Sequence, residues 1–363
     1  GQWLLSQNPG VDGALVSMNP STGEILALNG GYHFYESNFN RATQAKRQLG
    51  SLFKPFVFSA ALEHGFNLSS IINDAPVVIK DAGDNEFWRP NNVNYKFAGP
   101  TSLRVALAKS RNLVSVRLLD SIGVGAARDY IKKFGFIGKE EMPYSLSLAL
   151  GSGIATPIQN TVAYSAFANG GYLVRPFLIK SILGQNEKPI VILGSKYSFI
   201  PHSERIISEE NSYLISSVLQ DVIKKGTGRR ALVLNRNDLS GKTGTTNDQK
   251  DAWFCGYNQN IVTTVWLGFD NSASLHEYAA QLALPIWVDY MRPILTAYKD
   301  QPRLQPEGII TARINLDSGL LTSSEDTNSL FEMFDINNMP DKQPSVNVKA
   351  KNNVIKSVVD LFE

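Results

Sequence analysis

Residues 50–56 read Gly-Ser-Leu-Phe-Lys-Pro-Phe, and the run continues as VFSAALEHG to Gly65. Pro55 sits where a first helical turn tolerates a missing N–H, and Gly65 is a stop signal, so the pattern predicts a helix from Lys54 to about Gly65. Three helical residues advance about 4.5 Å and turn about 300°, which puts the side chains of Ser51 and Lys54 on one face. Two readings follow. The plain one is a solvated lysine at a helix start. The chemical one is a serine nucleophile with its base one turn away. Ser51 is the one serine in the chain with a lysine three residues on.

The chemical reading makes a demand. A lysine amine with an ordinary pKa of about 10.4 must fall about three units, roughly 4 kcal/mol, to act as a base at pH 7. Burial supplies part. A second cation at about 4 Å, in an effective dielectric near 20, supplies a similar amount. A second Lys or Arg is therefore expected at the site. The segment LSGKTGTTNDQKDAWFCGYNQNIVTTVWLGFD (239–270) offers one in Lys242. It reads as three strands, around 242–245, 252–257 and 261–269. Thr243 and Thr245 place hydroxyls beside that cation, a receptor for a carboxylate. Gly244 lacks a side chain, which lets a substrate backbone lie close. A third element is Ser110-Arg111-Asn112, inside TSLRVALAKSRNLVSVRLLDSIG (101–123), whose apolar stripe predicts one helical region. Taken singly, the last two motifs also fit an exposed strand lysine and a polar pair on a helix surface.

Outward from these motifs, ALVSMNPSTGEILALNGG (14–31) is a hairpin turned by Pro20 and Gly23. With the three later strands it gives about five antiparallel strands separated in sequence by helices, an α+β architecture with a central antiparallel five-stranded sheet flanked by helices. Helices are expected in AARDYIKKFGF, TPIQNTVAYSAFANGG and NSYLISSVLQDVIKKGTG, and residues 71–99 read as irregular. After about residue 300 a linker-like stretch leads to IITARINLDSGLL (309–321), a second hairpin, and a polar tail to Glu363 expected to be peripheral and weakly ordered in parts.

Composition excludes several classes. Of 363 residues, 43% are hydrophobic and 19% charged, and the net charge is +2, so nothing marks a nucleic-acid binder. Cys255 is the single cysteine, so no intramolecular disulfide or cysteine metal site forms, and the four histidines are scattered. No metal or cofactor is called for. No apolar run is long enough to span a membrane, and the first ten residues do not read as a signal peptide. G-x-S-x-G is missing around Ser51 and no histidine lies near the three motifs, which argues against an α/β-hydrolase and a Ser-His-Asp triad.

In order, S-x-x-K, S-x-N and K-T-G resemble the penicillin-recognising serine acyltransferase superfamily. GSLFKPF, SRNLVSVRLL, SLALGSGIATPIQ, FANGGYLVRP, GTGRRA, GKTGTTNDQKDAWFCGYN and VWLGFD resemble the transpeptidase domain of class A penicillin-binding proteins, of the 1a type, over nearly all of residues 11–298. The resemblance implies a penicillin-binding/serine β-lactamase-like fold with an all-helical subdomain. Residues 1–10 are then the remnant of a preceding domain or linker, and 299–363 an extension packed on the domain or trailing from it. It implies a D,D-transpeptidase acting on peptidoglycan stem peptides that end in D-Ala-D-Ala, acylated by β-lactam antibiotics. Ser51 is the nucleophile and Lys54 its base. Ser110 bridges Lys54 and Lys242 and relays a proton. Asn112 bonds the substrate amide, Lys242, Thr243 and Thr245 hold the terminal carboxylate, and the N–H groups of Ser51 and Thr245 form the oxyanion hole. Family members carry a membrane anchor and a glycosyltransferase domain that this chain lacks, so the chain is expected to be a fragment of a protein at the periplasmic face of the inner membrane. Leu52 stands where the family often has a small residue. A class A β-lactamase would need E-x-x-L-N, absent between Ser110 and Lys242. A D,D-carboxypeptidase and a penicillin-sensing receptor domain remain as alternatives.

Overall fold

The computed structural model of the chain describes residues 7–80, 87–185, 188–192 and 203–342. Strands β1 (Asp12–Met18) and β2 (Ile25–Asn29) form the expected hairpin. Asn19 closes it: its Oδ1 accepts from the backbone N–H of Ser21 and of Thr22, a side chain standing in for a turn carbonyl. Helices α1 (Lys54–Glu63), α2 (Leu103–Ala108), α3 (Asn112–Ile122), α4 (Val124–Ile131), α5 (Pro157–Ala168) and α6 (Glu209–Lys224) follow. The chain then returns to the sheet as β3 (Ser240–Thr245), β4 (Asp251–Tyr257) and β5 (Val262–Gly268), continues through α7 (Ala283–Ile294), and ends in a hairpin of β6 (Ile309–Asn315) and β7 (Ser329–Asp335).

The main sheet runs β3-β4-β5-β1-β2, with every neighbour antiparallel. β1 pairs with β5 from Asp12 opposite Gly268 to Met18 opposite Val262, so segments more than 200 residues apart share one ladder. The period of two sends alternate residues of β4 to opposite cores. Trp253, Cys255 and Tyr257 join the core built with the larger helical layer, whereas Ala252 and Phe254 meet α7 and its neighbours. Both faces are covered, which is why β4 is buried at every position.

α1 is the hub of the helical layer. Lys54 through Leu62 are all buried, so its sequence is apolar on every side rather than striped. Phe56 packs its ring against Phe134, Phe136, Tyr164 and Phe167 with centroids 5.0–5.4 Å apart. Three of these contacts are edge-to-face and the one to Phe167 is stacked, and together they fix both the position and the rotation of the helix.

Three expectations need correction. The helical region read across 101–123 is two helices, broken at Lys109–Arg111, with Ser110 in the left-handed region at φ 57°. Residues 71–99 are not wholly irregular: Ile71–Asp74 pairs antiparallel with Gly99–Ser102. Finally, the expected turn-back of Ile309–Asn315 onto SGLL is present only at its end, where Ile314 bridges Leu321 and the Asn315 N–H bonds the Leu320 carbonyl; the full-length partner is Ser329–Asp335, and this hairpin is docked rather than loose. Arg104 of α2 donates through Nε and Nη2 to the buried Glu332 carboxylate at 2.6 and 2.7 Å, and through Nη1 to Asp221 of α6 at 2.9 Å. The tail from 343 onward lies outside the described residues.

Candidate active site

Ser51 does not sit in α1 itself. It lies in the 3-10 turn Gly50–Phe53 that feeds the helix, and Lys54 is the first residue of α1. In 3-10 geometry residues three apart eclipse, so the shared face expected from an α-helix is kept. Gly50 carries φ 53°, and a Cβ there would stand 2.4 Å from the Thr245 carbonyl oxygen, so the turn can lie against β3 only with glycine at its start. Tyr164 donates its hydroxyl to the Leu52 carbonyl at 2.6 Å and pins the turn from below. Ser51 is half-buried and lines a cleft of about 750 Å³ together with Ser110, Thr227, Thr243, Thr245 and Tyr278.

Lys54 is fully buried. Its Nζ donates to the Ser110 carbonyl at 2.7 Å, to Ser110 Oγ at 3.3 Å and to Asn112 Oδ1 at 2.7 Å. Lys242, also fully buried, donates to the same Ser110 Oγ at 3.0 Å and to the Thr243 carbonyl at 3.0 Å. Two amines 188 positions apart thus meet on one hydroxyl. The electrostatic consequence follows the demand made by the sequence. Burial, then the charge of Lys242, hold the Lys54 amine well below its usual value, with Asp74 pulling the other way. Burial pushes Lys242 down to about 7. A neutral amine keeps two N–H donors, enough for the Ser110 carbonyl and Asn112, and frees a lone pair to accept a proton.

The break between α2 and α3 makes this possible. Ser110 N–H bonds the Leu107 carbonyl and Arg111 N–H the Ala106 carbonyl, ending α2, while α3 restarts at Asn112. The left-handed backbone of Ser110 costs roughly 1–2 kcal/mol. It points both the carbonyl and Oγ of one residue at the buried lysines. Asn112 is engaged twice within the protein: Oδ1 accepts from Lys54, and Nδ2 donates to the Asn91 carbonyl at 2.7 Å.

β3 is an edge strand. Thr246 N–H bonds the Asp251 carbonyl, and the alternation of an antiparallel pair then turns the N–H and C=O of Thr243 and Thr245 away from β4, toward the open edge beside Ser51. Thr243 Oγ1 lies 2.7 Å from Thr227 Oγ1, and Thr245 Oγ1 accepts from Ala279 N–H at 3.2 Å. A Cβ on Gly244 would stand 2.6 Å from the Leu49 carbonyl oxygen and 2.7 Å from Leu52 Cβ, so its lack of a side chain also seats the Ser51 turn on β3. Leu52 itself is buried, and its side chain does not enter the cleft.

Residues 13–287 match the family described as Penicillin binding protein transpeptidase domain. The chain belongs to the penicillin-binding protein transpeptidase family. Among curated relatives, penicillin-binding protein 1A of Pseudomonas aeruginosa is 43% identical over 94% of this chain, and that of Neisseria lactamica 46% identical over 85%. The aligned regions make up 47% and 39% of those proteins, so the chain spans about half the length of the relatives it matches, or less. The crystal structure of penicillin-binding protein 1A from Haemophilus influenzae superposes with a TM-score of 0.88 at 34% identity, covering 94% of this chain and 56% of that one.

In this transpeptidase domain, reading the sequence missed the residues that hold the three motifs in place. Thr227 reaches the cleft from the GTG turn after α6. Asn92, in the segment read as irregular, accepts the Asn112 N–H at 2.8 Å and is itself held by Asp74. Their one sequence signal was unexplained polarity: an acid ending the strand IIND, and the paired asparagines of FWRPNN. No helix among the described residues is long and apolar enough to cross a membrane.

Proposed function

We propose that the chain is the catalytic unit of a peptidoglycan D,D-transpeptidase that works through an acyl-enzyme on Ser51. The reading rests on one observation above the rest: the amines of Lys54 and Lys242 share the Ser110 hydroxyl at the floor of the cleft that Ser51 lines. Neutral Lys54 takes the Ser51 proton as Oγ bonds the carbonyl carbon between two D-alanines of a stem peptide. The developing oxyanion is met by the N–H groups of Ser51 and Thr245, each such donor being worth about 3 kcal/mol. Thr243 and Thr245, backed by Lys242, hold the terminal carboxylate. The C–N bond breaks, Ser110 relays the proton to the departing amine, and D-alanine leaves. An amine of a second stem peptide attacks the ester, and Ser51 recovers its proton. Asn112 exchanges its bond to Asn91 for one to the substrate amide while keeping Lys54 in place.

A β-lactam presents the same carboxylate and a strained amide, but its nitrogen stays tethered after ring opening and blocks the second amine. Residues 11–298 form the catalytic unit in this reading, with 299–363 as an extension of it, and the site faces the periplasm in a membrane-anchored parent protein. Intact-mass spectrometry after penicillin treatment tests the chemistry. One adduct is expected on the chain and none on Ser51→Ala. An adduct retained in that variant contradicts the nucleophile. Incubation with a D-Ala-D-Ala peptide and an amine acceptor tests the reaction class: a cross-linked product supports transfer, while exclusive release of the hydrolysed peptide marks a carboxypeptidase and no turnover a sensor.

A further inference from the structure

Asp74 closes the short strand Ile71–Asp74 and is fully buried. Its Oδ1 accepts from Asn92 Nδ2 at 2.8 Å, its Oδ2 from the Ala98 N–H at 3.0 Å, and Arg111 Nε lies 3.6 Å from Oδ2. Asn92, also buried, donates to the Lys96 carbonyl at 2.9 Å and accepts the N–H of Asn112, the first residue of α3. Asn112 Oδ1 in turn takes Lys54 Nζ. A continuous path of hydrogen bonds therefore leads from a buried carboxylate through two asparagines to the Lys54 amine.

A buried carboxylate is expensive unless it is hydrogen-bonded and answers local positive charge. Among the described residues the charges acting on Lys54 are Lys242 on β3 and Asp74, and Arg111 ahead of α3 lies against Asp74. From α4 and α6 the polar groups against α1 are Tyr130 and Asn211, which bond Ser59 instead. Lys54 and Arg111 thus share one buried carboxylate.

We infer that Asp74 is a positioning residue of the acyl-transfer site: through Asn92 it fixes the start of α3 that holds Lys54, and its buried charge answers that of Lys54. The inference rests on the transpeptidase reading above. Asp74 sets a floor under the fall of the Lys54 pKa, so removing its charge lets Lys54 lose its proton more easily.

The test is the rate constant of acylation by a fluorescent penicillin as a function of pH, with thermal melting as the control for folding. In Asp74→Asn, which keeps the side-chain shape and loses the charge, the acid limb of the profile is expected to move down by about one pH unit. Asp74→Glu, which keeps the charge, is expected to leave the limb in place. Asn92→Ala, which cuts the path and keeps the charge, is expected to lower the rate about tenfold at every pH without moving the limb. A purely structural role would lower the melting temperature and leave the limb where it is. A limb in Asp74→Asn coincident with the wild-type one, or Asn92→Ala acylating at the wild-type rate, overturns the inference. Should Asp74→Asn fail to fold, Asn92→Ala decides the matter: a fall in rate of about tenfold at an unchanged melting temperature supports the inference, and a wild-type rate, or a fall that comes with a lowered melting temperature, overturns it. Wild-type protein that takes no penicillin overturns the transpeptidase reading and this inference with it; acylated wild type with an unmoved Asp74→Asn limb overturns the inference alone.

Discussion

Lys242 shows what the site demands of the fold. Its amine titrates at about 7 in the folded protein because it is buried, against about 10.4 in an unfolded chain. Between those values the unfolded state holds a proton that the native state lacks, so stability rises with pH across that window, by about 2 kcal/mol from pH 7 to pH 9. Lys242→Met is expected to shrink the overall rise by that amount, leaving the part that the buried Lys54 supplies. Urea denaturation of both proteins at the two pH values measures it, and equal changes in the two would contradict the burial argument. The need for this second cation was legible from Ser51 and Lys54 alone, because a base of ordinary pKa is useless at pH 7. Ser110 was legible as a residue but not in its backbone. Nothing local in AKSRNL forbids a continuous helix, and the left-handed turn is held by lysines 56 and 132 residues away.

At the scale of elements, the account turns on how the Ser51 turn is seated on the edge strand β3. The strands themselves were readable: β1 and β2 from the Asn19-Pro20 turn, and β3 to β5 from β-rich runs between turn residues. What the sequence left open is that Gly50 lies against the Thr245 backbone and Gly244 against Leu49 and Leu52. Gly244→Ala places a methyl against the Leu49 carbonyl and Leu52. Overpacking of this kind shifts backbone, and a displacement of about 1 Å at a catalytic group lowers rates about a hundredfold. Penicillin acylation of Gly244→Ala is therefore expected to fall by that order while circular dichroism still reports a folded chain. Acylation within twofold of wild type would mean that the turn is not positioned by β3.

For the whole molecule, the chain closes on itself twice: β1 enters beside β5, and the β6–β7 hairpin returns to α2 and α6. The first closure follows from counting strands. The second was underestimated because Ile309–Asn315 is followed at once by a turn that it does make, whereas its full-length partner begins only at Ser329 and is anchored by the buried Glu332 and Phe334. Glu332→Ala leaves Arg104 with Asp221 as its carboxylate partner and Ser217 as its other acceptor. Breaking a buried pair by removing one partner typically costs about 3–5 kcal/mol. A lowered melting temperature with an unchanged acylation rate is expected, since the hairpin lies outside the cleft lining. A variant that melts like the wild type would show that the extension is dispensable to the domain.

The chemistry depends on Lys54 being neutral when Ser51 reacts, and the pH dependence of wild-type acylation by penicillin measures that directly. Since burial and Lys242 both lower the Lys54 amine, the rate should rise with pH and level off well below pH 10, with apparent values that belong to the coupled lysine pair. A rate that keeps climbing to pH 10, as an ordinary solvated lysine would dictate, would contradict the base assignment and the mechanism built on it.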